Sequence, residues 1–233
     1  MRNVLLLSAM LPAIGICQVT DTFENNVNIG SWSFGTGNGF IEPTGGNPGA
    51  FYRDDFIDSF APQARTEWGS SSPFVGNYRA GGVTEISVDF QLFRVDFSAA
   101  ERPLTLLLRE DNGTPNDFDD DWAAYYKHTE FVPQVGEGWK HFDYSVNSAS
   151  NALPTGWLTV PLGPNSPANP DWNDLVTDVD QLTFFWGDPD LFYIFQGWDI
   201  GMDNVSINAV PEPASVLGVL AGVGIFRVCR RSA

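Results

Sequence analysis

Apolar side chains in this sequence recur at every second position, in short runs separated by Gly, Pro, Asn and Asp, from Val19 to Asn208. A period of two puts successive side chains on opposite faces of an extended strand, whereas a helix needs its apolar residues three or four apart. Ile86, Val88, Phe90 and Leu92 alternate with Ser87, Asp89 and Gln91; the phase then slips, and Phe93, Val95 and Phe97 take over the apolar role. A slip of one residue predicts a β-bulge or a bend. Further runs are Leu104, Leu106 and Leu108; Trp122, Ala124 and Tyr126; Phe142, Tyr144 and Val146; Leu182, Phe184 and Trp186; and Trp198 to Ile207.

Only Trp172 to Asp180 has helical spacing, and the Pro-, Asn- and Gly-rich stretch from Leu153 to Pro170 reads as a surface loop. No repeat of the propeller or solenoid kind is present. The strand count predicts an all-β, two-sheet jelly-roll sandwich over residues 18–208. Hydrophobic residues, 43% of the chain, supply its core, and 23 glycines with 16 prolines supply its turns.

Charge and cysteine usage narrow the chemistry. Of the 12 Lys and Arg residues, Arg2, Arg227, Arg230 and Arg231 lie near the ends, leaving eight in the middle against 28 acidic ones. A segment near −20 repels a phosphate backbone, which argues against nucleic acid as a partner. The same charge favours solubility and attracts divalent cations. Cys17 and Cys229 both fall outside the sandwich, which excludes a disulfide or a thiolate site within it.

The two ends read as processing signals. Met1-Arg2-Asn3 carries a positive charge, Val4 to Ile16 is mostly apolar, and Gly15 and Cys17 suit cleavage before Gln18. Residues 1–17 are therefore expected to be a signal peptide; a lipid anchor on Cys17 is the weaker alternative, since Ile16 is a poor neighbour for it. Residues 209–233 hold Pro211-Glu212-Pro213, an apolar stretch and then Arg227, Arg230 and Arg231. As a helix, the 13 residues from Ala214 to Phe226 reach about 20 Å at ~1.5 Å per residue, short of a hydrocarbon core of roughly 30 Å. Terminal arginines would keep that end cytoplasmic. This order of Pro-Glu-Pro, short apolar helix and arginine cluster resembles the PEP-CTERM sorting signal of bacteria. The resemblance implies transient inner-membrane anchoring, removal of the tail by an exosortase, and a place at the cell surface or in an extracellular polysaccharide matrix. A generic membrane anchor is the alternative.

Within the middle segment, Asp21-Thr22-Phe23-Glu24 with Trp32, the run Gly45 to Phe51, and the closing Gly201 to Ile207 resemble laminin-IV-like and galactose-binding-like jelly-roll modules. In such modules a structural calcium joins an acidic residue of the first strand to one on the last, which match Glu24 and Asp203; the alternative is that both only satisfy turns. Calcium would take carboxylate and carbonyl oxygens there. Asp117 to Asp121 lacks the order of an EF-hand and reads as a solvated loop. Sugar rings pack on aromatic planes and need polar partners for their hydroxyls. Trp68, Trp157 and Trp172 lie in loop-like contexts and are the candidates for that stacking, whereas Trp122, Trp186 and Trp198 fall in strand runs and belong to the core.

Catalytic signatures are sparse. His128 and His141 have no metal-ligand spacing, and no nucleophile elbow, P-loop or dinucleotide fingerprint is present. The expected function is non-catalytic polysaccharide binding by an exported sandwich. The alternatives are a secreted polysaccharide-cleaving enzyme, whose carboxylate pair the sequence would not single out, and a purely structural or adhesive surface protein.

Overall fold

A computed structural model of the protein describes residues 18–66, 71–115 and 117–209. The leader 1–17, the tail with Pro211, Glu212, Pro213, Arg227, Arg230 and Arg231, and also Trp68, lie outside the described residues. Among the described residues no helix is long and apolar enough to cross a membrane.

Each alternating run becomes a strand, because one face of each finds a core to enter. The strands are β1 (Gln18–Asp21), β2 (Trp32–Ser33), β3 (Phe40–Gly46), β4 (Gly49–Ser59), β5 (Gln63–Thr66), β6 (Val83–Val95) and β7 (Pro103–Glu110). They continue as β8 (Trp122–Phe131), β9 (Lys140–Ser145), β10 (Trp157–Pro161), β11 (Gln181–Trp186) and β12 (Gln196–Ala209). Two short helices, α1 (Tyr78–Gly81) and α2 (Trp172–Thr177), lie in the connections. The first sheet has the order β3-β4-β12-β6-β9, with β1 also on β12, and the second has the order β10-β8-β7-β11-β5-β2. All pairings are antiparallel, and the chain crosses repeatedly from sheet to sheet, as the expected sandwich requires.

Between the sheets lie the predicted inward residues. Ile86, Val88, Leu104, Leu106, Leu108, Phe142, Tyr144, Leu182 and Phe184 are all fully buried. Phe90 meets Phe184 and Trp186 edge-on, and Trp186 meets Trp198 the same way at 6.1 Å. Edge-to-face contact sets the positive rim of one ring against the negative face of another.

The phase slip in β6 is a β-bulge. Leu92 pairs with Ile200 and Arg94 with Asp199, so Phe93 is an extra residue opposite none. It turns outward against Phe51 and Trp139, while Val95 packs at the margin of the core and Phe97 is exposed. The expected 153–170 loop needs correction: it contains β10, an edge strand on β8. An edge position tolerates Pro161 and leaves Leu158 exposed, which hid the strand's alternation.

Candidate functional site

Register determines which side chains of the second sheet face away from the core. Ala64, Phe184, Leu106, Tyr126 and Trp157 form one inward row across the strands, and the rows on either side of it point outward. One outward row reads Gln63, Phe185, Thr105 and Lys127. The next reads Ser33, Arg65, Thr183, Leu107, Tyr125 and Leu158. The third reads Gln181, Arg109, Ala123 and Val160. Six strands at about 4.8 Å spacing make this face roughly 24 Å wide.

A furrow of about 350 Å³ runs over these rows. Its apolar lining comes from Leu107, Ala123, Val160, Leu162, Phe185 and Pro189, and its polar lining from Gln63, Arg65, Arg109, Gln181 and Thr183. Several of the polar groups are tied down. Gln181 donates to the Thr66 carbonyl at 3.0 Å, and Arg109 is ion-paired with the fully buried Asp121. Burial pulls the Arg109 pKa down, Asp111 and Asp180 work against that, and Arg65 adds a like charge. At one end Lys127 holds Asp188 at 3.0 Å, and the Tyr125 hydroxyl donates to Asp190 at 3.1 Å, drawing the 187–191 loop over the sheet. Gln63, Arg65 and Thr183 make no side-chain hydrogen bond or ion pair with the described residues. The furrow thus offers an apolar strip with uncommitted donors and acceptors along it. The expectation that Asp117 to Asp121 forms a wholly solvated loop holds for Asp117 and Asp119 but not for Asp121, which Arg109 draws inside.

Two of the tryptophans expected to be open to a sugar are buried. Trp157 is 4% exposed and Trp172 is 2% exposed, with ring centroids 5.1 Å apart. Trp172 opens α2 and donates to the Asn147 carbonyl, while Trp157 donates to the Ser145 carbonyl and packs on Tyr126. Their neighbouring prolines and glycines suggested exposure, but these rings seal the space beneath α2. Trp157 also lines a second cavity with Tyr126, His128 and Asp143. Trp122, Trp186 and Trp198 are core residues, as expected. Half-buried Trp139 is the exception among the described tryptophans: it lies on the outer face of the first sheet and its indole donates to the Gly45 carbonyl at 2.9 Å.

Glu24 and Asp203 do converge, on the hairpin between β3 and β4. Glu24 Oε1 accepts from the Ala50 amide at 3.0 Å, and Asp203 Oδ2 accepts from the Asn47 amide at 2.6 Å. Gly49 has φ +88, and a Cβ there would lie 1.9 Å from Glu24 Oε1, so this approach needs glycine. Burial raises the Asp203 pKa to about 6; Asp89 and Glu24 add to the rise and the Asn47 and Asn204 amides oppose it. Asp89 is held by Asn47, Asn204 and His141, the last at 2.6 Å. Among the described residues no three His, Cys, Asp or Glu side chains converge at metal-ligand spacing, so a cation here would need backbone carbonyls as well.

The loop after β11 carries an aromatic cluster that the sequence did not mark. Phe60 lies 5.3 Å from Phe192 and 5.2 Å from Phe195, and Phe192 is 88% exposed. Leu191 and Ile194 are exposed beside them. This segment is a continuous apolar run without alternation, so period alone gave it no face.

No family model and no curated protein matches the chain. Among solved structures it is similar to the CBM22-1–GH10 modules of Clostridium thermocellum endo-1,4-β-D-xylanase 10B, complexed with xylohexaose, at 16% identity and a TM-score of 0.41. It is also similar to an exo-β-agarase at 13% identity and 0.46. A third similar structure is SGBP-B from a complex xyloglucan utilization locus in Bacteroides uniformis, at 15% identity and 0.32. These matches cover 82%, 84% and 82% of this chain, but only 28%, 25% and 49% of the respective structures. Likeness at this level assigns neither ligand nor reaction.

Proposed function

We propose that the protein is an exported, matrix-associated sandwich that binds polysaccharide without cleaving it, along the outward face of its second sheet. One observation carries the reading: an apolar strip of Leu107, Val160 and Phe185 runs beside uncommitted Gln63, Arg65 and Thr183 on rigid strands. A sugar ring presents an apolar face ringed by hydroxyls, so it needs both kinds of surface at once. Strand-mounted groups lose little freedom when they bind, which lowers the cost of holding a flexible chain.

Affinity electrophoresis through gels containing neutral and acidic polysaccharides tests this. Retardation by at least one polymer, abolished by Leu107→Glu with the fold intact by circular dichroism, is the expected result. No retardation by any of them would remove the reading. Release of reducing ends from a bound polymer would overturn its non-catalytic part.

Export rests on the composition of the two ends and gives the furrow its setting. Mass spectrometry of the protein from its native host is expected to find a chain starting at Gln18 and cut near Pro211-Glu212-Pro213. An intact cytosolic chain would refute it. A structural calcium on Glu24 and Asp203 belongs to the same proposal; bound there, it would offset the repulsion among Glu24, Asp89 and Asp203 and lock the hairpin against β12. A second reading, adhesion to another macromolecule, is favoured by the exposed cluster of Phe60, Phe192 and Phe195. Phe192→Ser separates the two: it leaves polysaccharide retention unchanged if the furrow is the site.

A further inference from the structure

The charge of the second sheet's outward face runs against that of the whole chain. Its three rows contain Lys127, Arg65 and Arg109 and no carboxylate, whereas the chain has 29 acidic residues and 12 basic ones. Two of those cations are already spent. Lys127 holds Asp188 and Asp190, and Arg109 holds Asp121.

Arg65 differs. It is exposed, lies between Ser33 and Thr183 in the row, and has no ion-pair partner among the described residues. Its guanidinium lies beside Gly35: a Cβ there would stand 3.3 Å from Arg65 Nη2, so the glycine leaves room for that approach. The neighbouring hydroxyls of Ser33 and Thr183 neither neutralise nor repel it. Arg109 lies near enough to act on it as a like charge. A guanidinium in that state favours an anion, and its planar fork matches a carboxylate with two parallel hydrogen bonds.

We propose that the furrow takes an acidic polysaccharide, with Arg65 gripping a uronate carboxylate while the sugar rings lie along Leu107, Phe185 and Val160. This rests on the reading of the furrow as the polysaccharide site. The chain's overall negative charge does not oppose it at close range. At physiological salt charges are screened over about 8 Å, so a carboxylate in the furrow meets Arg65 before it meets the acidic residues of other faces. The discrimination would also run against phosphate polyanions, whose dense charge extends beyond the furrow to the acidic surface around it.

The test uses polygalacturonate, alginate and a glucuronate-bearing xylan, each beside the same polymer with its carboxyl groups chemically reduced to alcohols. The pair differs in charge and little else. The protein is expected to bind at least one acidic polymer about tenfold more tightly than its reduced form, with the advantage shrinking as salt rises. Arg65→Gln is expected to remove that tenfold preference, so that the acidic polymer and its reduced form bind alike. Arg65→Lys should retain only part of the preference, because an ammonium is a point charge without the fork. Equal binding of acidic and reduced polymers, or a preference untouched by Arg65→Gln, overturns the acidic ligand and leaves the furrow standing. So does retention by neutral polymers alone. If Leu107→Glu fails to weaken any observed binding, the furrow itself is wrong, and the role of Arg65 falls with it.

Discussion

Glu110 ends β7 as one of its inward residues, and burial together with Asp174 and Asp180 pushes its pKa up to about 7, against a hydrogen bond from the Trp122 side chain. A carboxyl whose folded pKa lies above its unfolded value stabilises the fold while it is protonated. That contribution is complete below about pH 4.5 and is lost as pH rises through about 7. Glu110→Gln keeps the shape and removes the charge. It is expected to raise stability by about 1–3 kcal/mol at pH 8 and to change little at pH 4.5, as read from thermal melts across pH. Asp203 sets a different test. Millimolar calcium is expected to raise the melting temperature of the wild type at neutral pH, by mass action on the folded state, and to leave Asp203→Asn unmoved. An identical melting curve in chelator would remove calcium from the account. Sequence reasoning reached the Glu24 and Asp203 meeting through a resemblance, since no local pattern places residues so far apart on one hairpin. Arg65 escaped it because an arginine in a four-residue strand has nothing local to show that its neighbours are uncharged.

At the scale of strands the alternation was a guide where a strand carries a row of large apolar side chains into the core. It located β6, β7, β8, β9, β11 and β12, and even the bulge at Phe93. It failed for β10, where an edge strand exposes Leu158 and ends in Pro161, and for the tryptophans beside it. Flanking glycines and prolines mark a turn, but they do not tell whether the next ring faces water. The correction has a measurable consequence. Trp172→Ala removes a ring packed on Trp157 beneath α2, so it is expected to cost about 3–5 kcal/mol in urea unfolding and leave polysaccharide affinity of the remaining folded protein intact. Leu107→Glu should do the reverse, sparing stability and abolishing retention. The outward rows became legible only with the register, which pairs residues from six strands that the sequence scatters between Ser33 and Phe185.

For the whole molecule, the two sheets divide the labour. The first sheet joins the ends of the described chain, with β1 and β4 on β12, and gathers Glu24, Asp89 and Asp203 around the β3–β4 hairpin. The second presents strand rows with no carboxylate of their own, walled at one end by a loop whose Asp188 and Asp190 are held by Lys127 and Tyr125. A strongly acidic exterior favours solubility, and under the proposed function the local face supplies the contact. The most direct test is an amide-shift titration of the isotope-labelled protein with fragments of a polysaccharide that retards it. Changes should concentrate on Gln63, Arg65, Leu107, Thr183 and Phe185 and spare Phe93, Trp139 and Phe192. Shifts confined to the first sheet or to the phenylalanine loop would contradict the account.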